Sequence, residues 1–356
     1  MGEWGYKKPF ICSSSRSRNP RIIIMKKKAI SLISGGLDSA LATRLILDQG
    51  IEVVGLNFTS PFSSKRERSE GLQAIRTARE LGIRLILKEK GPEYIDVIRK
   101  PKHGYGKNMN PCIDCRIFML RKTKEIMAKE DASFVITGEV LGQRPLSQRR
   151  PAIELIEKES GLESLILRPL SAKHFIPSKP EIEGVIDRKL LLDLAGRGRT
   201  AQFNLVEKYK LSEFGDPGGG CLLTDAMYSK RLRELLAHDK SFSMLDIELL
   251  NTGRHFRISP DTKLILGRNK GENERLHSLW ALPYALVYPI DFPGPLGVIK
   301  GELGKEIIAI VANIISHYGK NKAPMIAIEM NNGSISRHEV ERTDKDFEQY
   351  KILEVQ

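Results

Sequence analysis

From residue 29 onward, short apolar runs alternate with segments of helical spacing, and few folds accommodate that alternation. AISLIS (29–34) is an apolar run that ends in Gly-Gly, and LDSALATRLILDQG (37–50) has helical spacing and stops at Gly50. IEVVGLNF (51–58), IRLILK (83–88), ASFVITG (132–138) and ESLILRPL (163–170) read as further strands. SEGLQAIRTARELG (69–82) and CRIFMLRKTKEIMAKE (115–130) read as helices between them. Strands alternating with helices predict an α/β fold with a doubly wound parallel sheet. Ligands of such sheets bind outside the carboxyl ends of the strands. The loops after Ile33, Phe58 and Ile136 should therefore line one site.

Helices dominate from Asp187 to Tyr209, and a run of Gly218, Gly219 and Gly220 follows. From about Phe242 the pattern changes. LDIELLNTGRHFRIS (245–259), TKLILGRN (262–269), YALVYPIDF (284–292) and MIAIEM (325–330) read as short strands, with one helix near Lys305 to Tyr318. This predicts a second, smaller α+β domain, with domains at 26–240 and 241–356. Residues 1–25 lack periodicity and are rich in Ser, Arg and Pro. Met25 opens a complete first strand, so the upstream segment reads as a mis-called extension or a disordered arm. Cys12 within it is assigned no role, and no signal peptide is expected there.

The chain has 356 residues, 41% hydrophobic and 28% charged, which suits two soluble domains with real cores. No apolar run approaches the ~20 residues of a membrane helix. The net charge of +13 favours a polyanionic partner such as nucleic acid, although a solvated basic surface would give the same number. Four cysteines are too few for a secreted disulfide framework in a chain this size, so cytoplasmic metal or thiol chemistry is the better reading.

Ser34-Gly35-Gly36-Leu37-Asp38-Ser39 follows a strand and opens a helix. Two glycines let the backbone approach an anion closely, and the helix start offers free N–H groups and a positive dipole end. Ser34 and Ser39 add hydroxyl donors. Asp38 would repel phosphate unless a cation intervened, so it implies Mg²⁺. With no Gly-Lys-Ser/Thr, this is not a Walker loop.

Asn110-Pro111-Cys112-Ile113-Asp114-Cys115 precedes a helix, and Cys221 follows the glycine run. Three thiols fall short of the four ligands of a structural zinc site. They suit an iron–sulfur cluster with one open iron. A persulfide resolved by disulfide formation is the competing chemistry, and a pair of buried small residues plus an unrelated thiol is the bland one.

Serine-glycine-glycine at 34–36 with Asp38 and Ser39 resembles the phosphate motif of the PP-loop ATP pyrophosphatases, which cleave ATP between its α and β phosphates. With SGGLDSALA (34–42), CRIFMLRKTKEIM (115–127), TGEVLGQRPLSQ (137–148) and RPLSAK (168–173), the chain resembles the tRNA 4-thiouridine synthase (ThiI) family. The resemblance extends to the tRNA 2-thiouridylases (MnmA), with cysteines matching Cys115 and Cys221. In some members of the wider group, three cysteines placed like Cys112, Cys115 and Cys221 hold a 4Fe-4S cluster. The segments NTGRHFRIS and LILGRNKGENERL are similar to the RNA-binding domain of NFACT proteins, although a structural or dimerising domain is the alternative. A THUMP domain and a rhodanese domain, typical of the family, are not visible in this sequence.

The resemblance implies an ATP-dependent transferase that adenylates a uridine carbonyl oxygen of tRNA and replaces it with sulfur. Ser34, Gly35, Gly36, Asp38, Ser39, Asn57, Phe58, Gly138 and Glu139 are expected at the nucleotide. Cys112, Cys115 and Cys221 are expected to hold the cluster, and Asp38, Cys115 and Cys221 to carry the chemistry. Gln143, Arg144 and Gln148 could hold phosphate or base edges, while Arg144, Arg149 and Arg150 read as a loop on the tRNA backbone or in solvent. Sulfide or a sulfur-donor protein is the expected sulfur source. Related enzymes are often dimers, which carries a homodimer over as an expectation. A ligase using ammonia would need no thiols, and a non-catalytic RNA-binding factor would release no pyrophosphate.

Overall fold

The computed structural model describes residues 27–63, 65–215, 221–319, 325–330, 333–339 and 347–352, without the side chains of 65–72. The segment 1–25 with Cys12, and the run Gly218 to Gly220, lie outside the described residues.

The first half holds β1 (Lys28–Leu32), α1 (Leu37–Leu47), β2 (Glu52–Thr59), α2 (Lys65–Glu80), β3 (Arg84–Glu89), α3 (Glu93–Arg99), α4 (Cys112–Glu130), β4 (Phe134–Ile136), α5 (Arg150–Ser160) and β5 (Ile166–Leu167). Its five strands are parallel in the order β3-β2-β1-β4-β5. The strand alternation has a direct physical reading, because successive side chains face opposite sides of a sheet. Ala29, Phe134 and Ile136 pack with Leu37 and Leu41 of α1 on one face. Ile30, Leu32 and Val135 pack with Ile117 and Leu120 of α4 and Ile156 of α5 on the other. Each such fully buried Leu, Ile or Phe contributes about 1.5–3 kcal/mol relative to exposure. The chain runs outward from β1 in one direction to β3, then returns to β4 and β5 on the other side. The crevice between the ends of β1 and β4 is thus the topological switch point where such sheets take ligands.

After β5 come α6 (Lys179–Ile182), α7 (Thr200–Tyr209), α8 (Ala226–His238) and α9 (Met244–Leu249). Leu205, Val206 and Tyr209 of α7 pack on the α1 side of the sheet. Tyr228, Leu232 and Leu235 of α8 pack against Phe62, Tyr94, Ile98 and Met109, above the carboxyl edge of the sheet. The second half holds β6 (Arg254–Arg257), β7 (Lys263–Leu266), α10 (Lys270–Leu279), β8 (Ala285–Pro289), β9 (Gly297–Lys300), α11 (Lys305–Gly319), β10 (Met325–Glu329) and β11 (Ile335–Glu339). Its six strands are antiparallel in the order β11-β10-β8-β9-β7-β6. Leu264 and Leu266 face α11, and Ile265 faces α10. An α/β doubly wound sheet with a second α+β unit is therefore what the chain builds. Among the described residues no helix is long and apolar enough to cross a membrane.

Two readings need correction. LDIELL is helix α9 and not strand; only Arg254–Arg257 of that stretch pairs in the sheet. The reason is local: Ser243 and Asp246 form a capping box that starts a helix. Arg149 and Arg150 are not loop residues either, because Arg149 caps and Arg150 begins α5.

Asp246 ties α9 to the second sheet. Its carboxylate accepts from Ser243 N at 2.6 Å, from Lys300 Nζ of β9 at 2.8 Å, and from the Tyr284 hydroxyl. Burial alone would raise its pKa, but the bonds from Lys300, Tyr284 and Ser243 outweigh burial and hold it below the usual range. A lowered carboxylate pKa stabilises the fold above the unfolded value of about 3.9 and loses that contribution as pH falls through the folded value. Asp246→Asn is expected to destabilise the protein by about 2 kcal/mol at neutral pH, with the gap to wild type narrowing under acid. Denaturant melts at two pH values check this.

Candidate active site

A cavity of about 340 Å³ opens at the carboxyl ends of β1, β2 and β4. It is built from the loops expected to line it, together with the turn after β3, the start of α4, Arg199, Gly215 and the segment around Cys221.

The 34–39 loop forms its floor. Gly35 has φ 81°, a left-handed conformation that favours glycine. Gly36 caps α1 with extended backbone and no side-chain cap, which leaves the first-turn N–H groups to an external anion. Ser39 Oγ donates to Gly36 O at 2.8 Å and lies 3.2 Å from Ser34 Oγ. Ser39 lines the cavity, and its hydroxyl also braces the loop. Gly215 N donates to Gly35 O at 2.8 Å and supports the loop from the far side.

Gly138 ends β4 directly against this loop. A Cβ there would lie 2.5 Å from Asp38 C and 2.6 Å from Ser39 N. Asp38 lines the cavity, and its carboxylate accepts from Gln143 Nε2 at 2.6 Å and Gln202 Nε2 at 3.4 Å. A carboxylate beside a helix start with no side-chain cap would suit Mg²⁺ bound to an anion there. Gln143 thus aims Asp38 and does not reach for a ligand. Gln148 is buried, and its Oε1 accepts from Arg144 N at 3.0 Å, which shapes the loop. Asn57 and Phe58 line the cavity as expected, although the Asn57 amide also donates to Ile33 O at 2.7 Å.

Glu139 departs from expectation. It does not line the cavity, is 2% exposed, and pairs with Arg168 Nε at 3.0 Å and Arg116 Nε at 3.3 Å. Burial would raise its pKa, but Arg116 and Arg168 outweigh that and hold it below the usual range. The residue that reaches the cavity from this network is Arg116.

Cys112 starts α4 and Cys115 completes its first turn, with Cys115 N donating to Pro111 O at 2.8 Å. Cys221 arrives from the opposite wall, where Leu222 N donates to Phe62 O at 2.8 Å. All three cysteines are half-buried and line the same cavity as the 34–39 loop. Tyr94 lies among them. Burial first, then the fields of Cys115, Cys221 and Cys112, hold its hydroxyl protonated well above the usual range. Lys90 Nζ lies 3.4 Å from Cys115 Sγ and 4.5 Å above the Tyr94 ring. As placed, no three His, Cys, Asp or Glu among the described residues could hold a single metal ion. A four-iron cluster takes each thiolate on a different iron, so its ligands stand farther apart, and three thiols on one cavity suit it.

Lys90, Tyr94, Arg116, Arg199 and Gln202 were not singled out in the sequence. Lys90 and Tyr94 follow β3, so the rule that pointed to the loops after three other strands would have reached them. Gln202 carries no local signal at all.

Residues 24–182 match the family profile described as thiamine biosynthesis protein (ThiI), and residues 253–351 match the NFACT protein RNA binding domain. Cys221 lies beyond the first match. A protein of Natranaerobius thermophilus named probable tRNA sulfurtransferase is 32% identical over 169 residues, 45% of this chain and 39% of that protein. The tRNA-specific 2-thiouridylase MnmA of Leptospira interrogans is 32% identical over 111 residues, 26% of this chain and 28% of that protein. A solved 4-thiouridine synthetase–RNA complex with bound ATP is 24% identical, with a TM-score of 0.34, over 51% of this chain and 49% of that one. The chain spans about two fifths of the length of the first of these relatives. On the two profile matches, the chain carries a ThiI-family segment followed by a segment of the NFACT RNA-binding domain family.

Proposed function

We propose that this chain is an ATP-dependent tRNA sulfurtransferase that adenylates a uridine carbonyl oxygen and replaces that oxygen with sulfur. One observation carries the reading: the anion-binding 34–39 loop and all three described cysteines line one cavity. A uracil oxygen is a poor leaving group until it becomes part of AMP. In this reading the α1 N-terminus and the cavity's cations bind the ATP phosphates, and the uridine oxygen attacks the α phosphorus. Pyrophosphate leaves, sulfur attacks the activated carbon, and AMP departs. The first-turn N–H groups of α1 offset charge on the departing pyrophosphate. Mg²⁺ at Asp38 would share that task.

Cys112, Cys115 and Cys221 would hold a 4Fe-4S cluster, which when bound supplies an open iron to present sulfide. A thiol relay is the second reading, favoured by Lys90 beside Cys115, because a nearby cation stabilises a thiolate. The relatives' names and the NFACT match support tRNA as the substrate, with the second α+β unit contacting RNA. The domain limits 26–240 and 241–356, a sulfide or donor-protein sulfur source, a homodimer and a cytoplasmic location belong to the same proposal.

Mixing the protein with ATP and unmodified tRNA should release pyrophosphate, and with sulfide should yield thiouridine. Pyrophosphate without sulfur transfer under anaerobic conditions, with sulfide and with a persulfide donor alike, would leave only an adenylating enzyme. A broad brown visible absorbance in anaerobically purified protein is the result expected of the cluster. Colourless protein that thiolates from a persulfide donor but not from sulfide would assign the chemistry to the relay, because sulfide alone forms no persulfide without an oxidant.

A further inference from the structure

Four cationic side chains line the cavity: Lys90, Arg116, Arg144 and Arg199. Arg116 is aimed by a buried carboxylate. Glu139, 2% exposed, sits one residue after the Gly138 that touches the 34–39 loop. One Glu139 oxygen faces Arg116 Nε at 3.3 Å; the other accepts from Arg168 Nε at 3.0 Å and from the Thr137 hydroxyl at 3.2 Å. Arg168 is 3% exposed, pairs also with Glu157, and lies 5.3 Å from the Phe175 ring. A carboxylate taken this far out of water persists as an anion only when paired, so Arg168 and Arg116 are held as firmly as they hold Glu139.

The pairing uses the Nε edge of Arg116. Among the described residues its two terminal nitrogens make no other ion pair or hydrogen bond, and the side chain is 26% exposed on the cavity wall. A planar guanidinium held at one edge presents a pre-aimed two-nitrogen fork, the geometry that fits a phosphate group. Fixing the fork before binding removes part of the ordering entropy that a free side chain would lose. Arg116 also lies one helical turn after Cys112, on the helix that carries Cys115.

We propose that Arg116 binds a phosphate of the nucleotide in the cavity, and that Glu139 and Arg168 are positioning residues that aim it. The proposal rests on the reading of the cavity as an ATP site. The test separates nucleotide from RNA phosphate. ATP binding is measured by equilibrium dialysis with no RNA present, and tRNA binding by filter retention with no ATP. Arg116→Gln is expected to weaken ATP binding at least 10-fold and leave tRNA binding within 2-fold. Arg116→Lys, which keeps the charge and loses the fork, should fall between wild type and Arg116→Gln. Glu139→Gln should raise the KM for ATP and leave kcat of pyrophosphate release nearly unchanged. Should Glu139→Gln fail to fold, the half-exposed Arg116 variants decide alone. Unchanged ATP binding in Arg116→Gln, or a loss confined to tRNA, overturns the proposal. A wild-type protein that binds no ATP would instead remove the reading of the cavity itself.

Discussion

Gly138→Ala is expected to lower ATP-dependent pyrophosphate release by about 1000-fold while the protein stays folded. The added methyl would sit 2.5 Å from Asp38 C, 2.6 Å from Asp38 O and 2.6 Å from Ser39 N. These are backbone atoms at the start of α1, so no side-chain rotation relieves the overlap. Either β4 or the helix start must move by several tenths of an ångström. Overpacking of this kind destabilises by about 1–3 kcal/mol, which a core of two helix-covered sheet faces tolerates. The catalytic loss is larger because the moved atoms are those that, in the proposed function, bind phosphate and set Asp38, and misplacement of about 1 Å can cost about 100-fold on its own. Loss of the Asp38 geometry held by Gln143 adds to it. Gly198→Ala is the control: it lies beside the cavity residue Arg199, and its Cβ would meet nothing within 4 Å. Pyrophosphate release by Gly198→Ala should stay within 3-fold of wild type. Activity in Gly138→Ala comparable to that control would show that ATP does not bind across the β1–β4 crevice.

The parallel sheet was legible because both of its faces are covered. AISLIS and ASFVITG are continuous apolar runs, and the structure divides them residue by residue between two cores: Ala29 to one face and Ile30 to the other. The turn at 34–39 was legible because its signal is local: strand, two glycines, helix start. The cysteine trio was legible as residue types, but that Cys221 meets α4 depends on the turn that joins Leu222 to Phe62, which no spacing encodes. Glu139 shows where local reading stops. Its place at the end of β4 pointed to the cavity, yet its side chain turns inward because Arg168, 29 residues on, supplies a buried partner. Gln202 reaches Asp38 across 164 residues, a contact set wholly by packing of α7 on α1. In the second half, LDIELL was apolar enough for either strand or helix. The Ser243–Asp246 box decided for helix, and that cue lay just outside the apolar run.

Cys221→Ser should abolish sulfur transfer, by at least 1000-fold, and leave ATP binding within 3-fold of wild type. Serine matches cysteine closely in size, so the cavity wall and the Leu222–Phe62 bond remain. What disappears is a soft sulfur ligand and nucleophile, for which a hydroxyl is no substitute. Cys115→Ser should behave alike, with the added effect that Lys90 loses its sulfur partner at 3.4 Å. Cys112 decides between the two sulfur chemistries. A relay needs one thiol to carry sulfur and one to resolve it, so Cys112→Ser would keep at least a tenth of wild-type transfer. A cluster uses three thiolates as equal ligands, so Cys112→Ser would fail as completely as the other two and would purify without brown colour. The position of Cys112, beside the Asn110 amide at 3.2 Å and in the same cavity as the other two, favours the second outcome. Retained transfer in all three single variants, measured on tRNA by thiouridine absorbance with sulfide and separately with a persulfide donor supplied, would separate the sulfur from these thiols altogether. The cavity would then be a nucleotide site whose neighbouring cysteines only fill space.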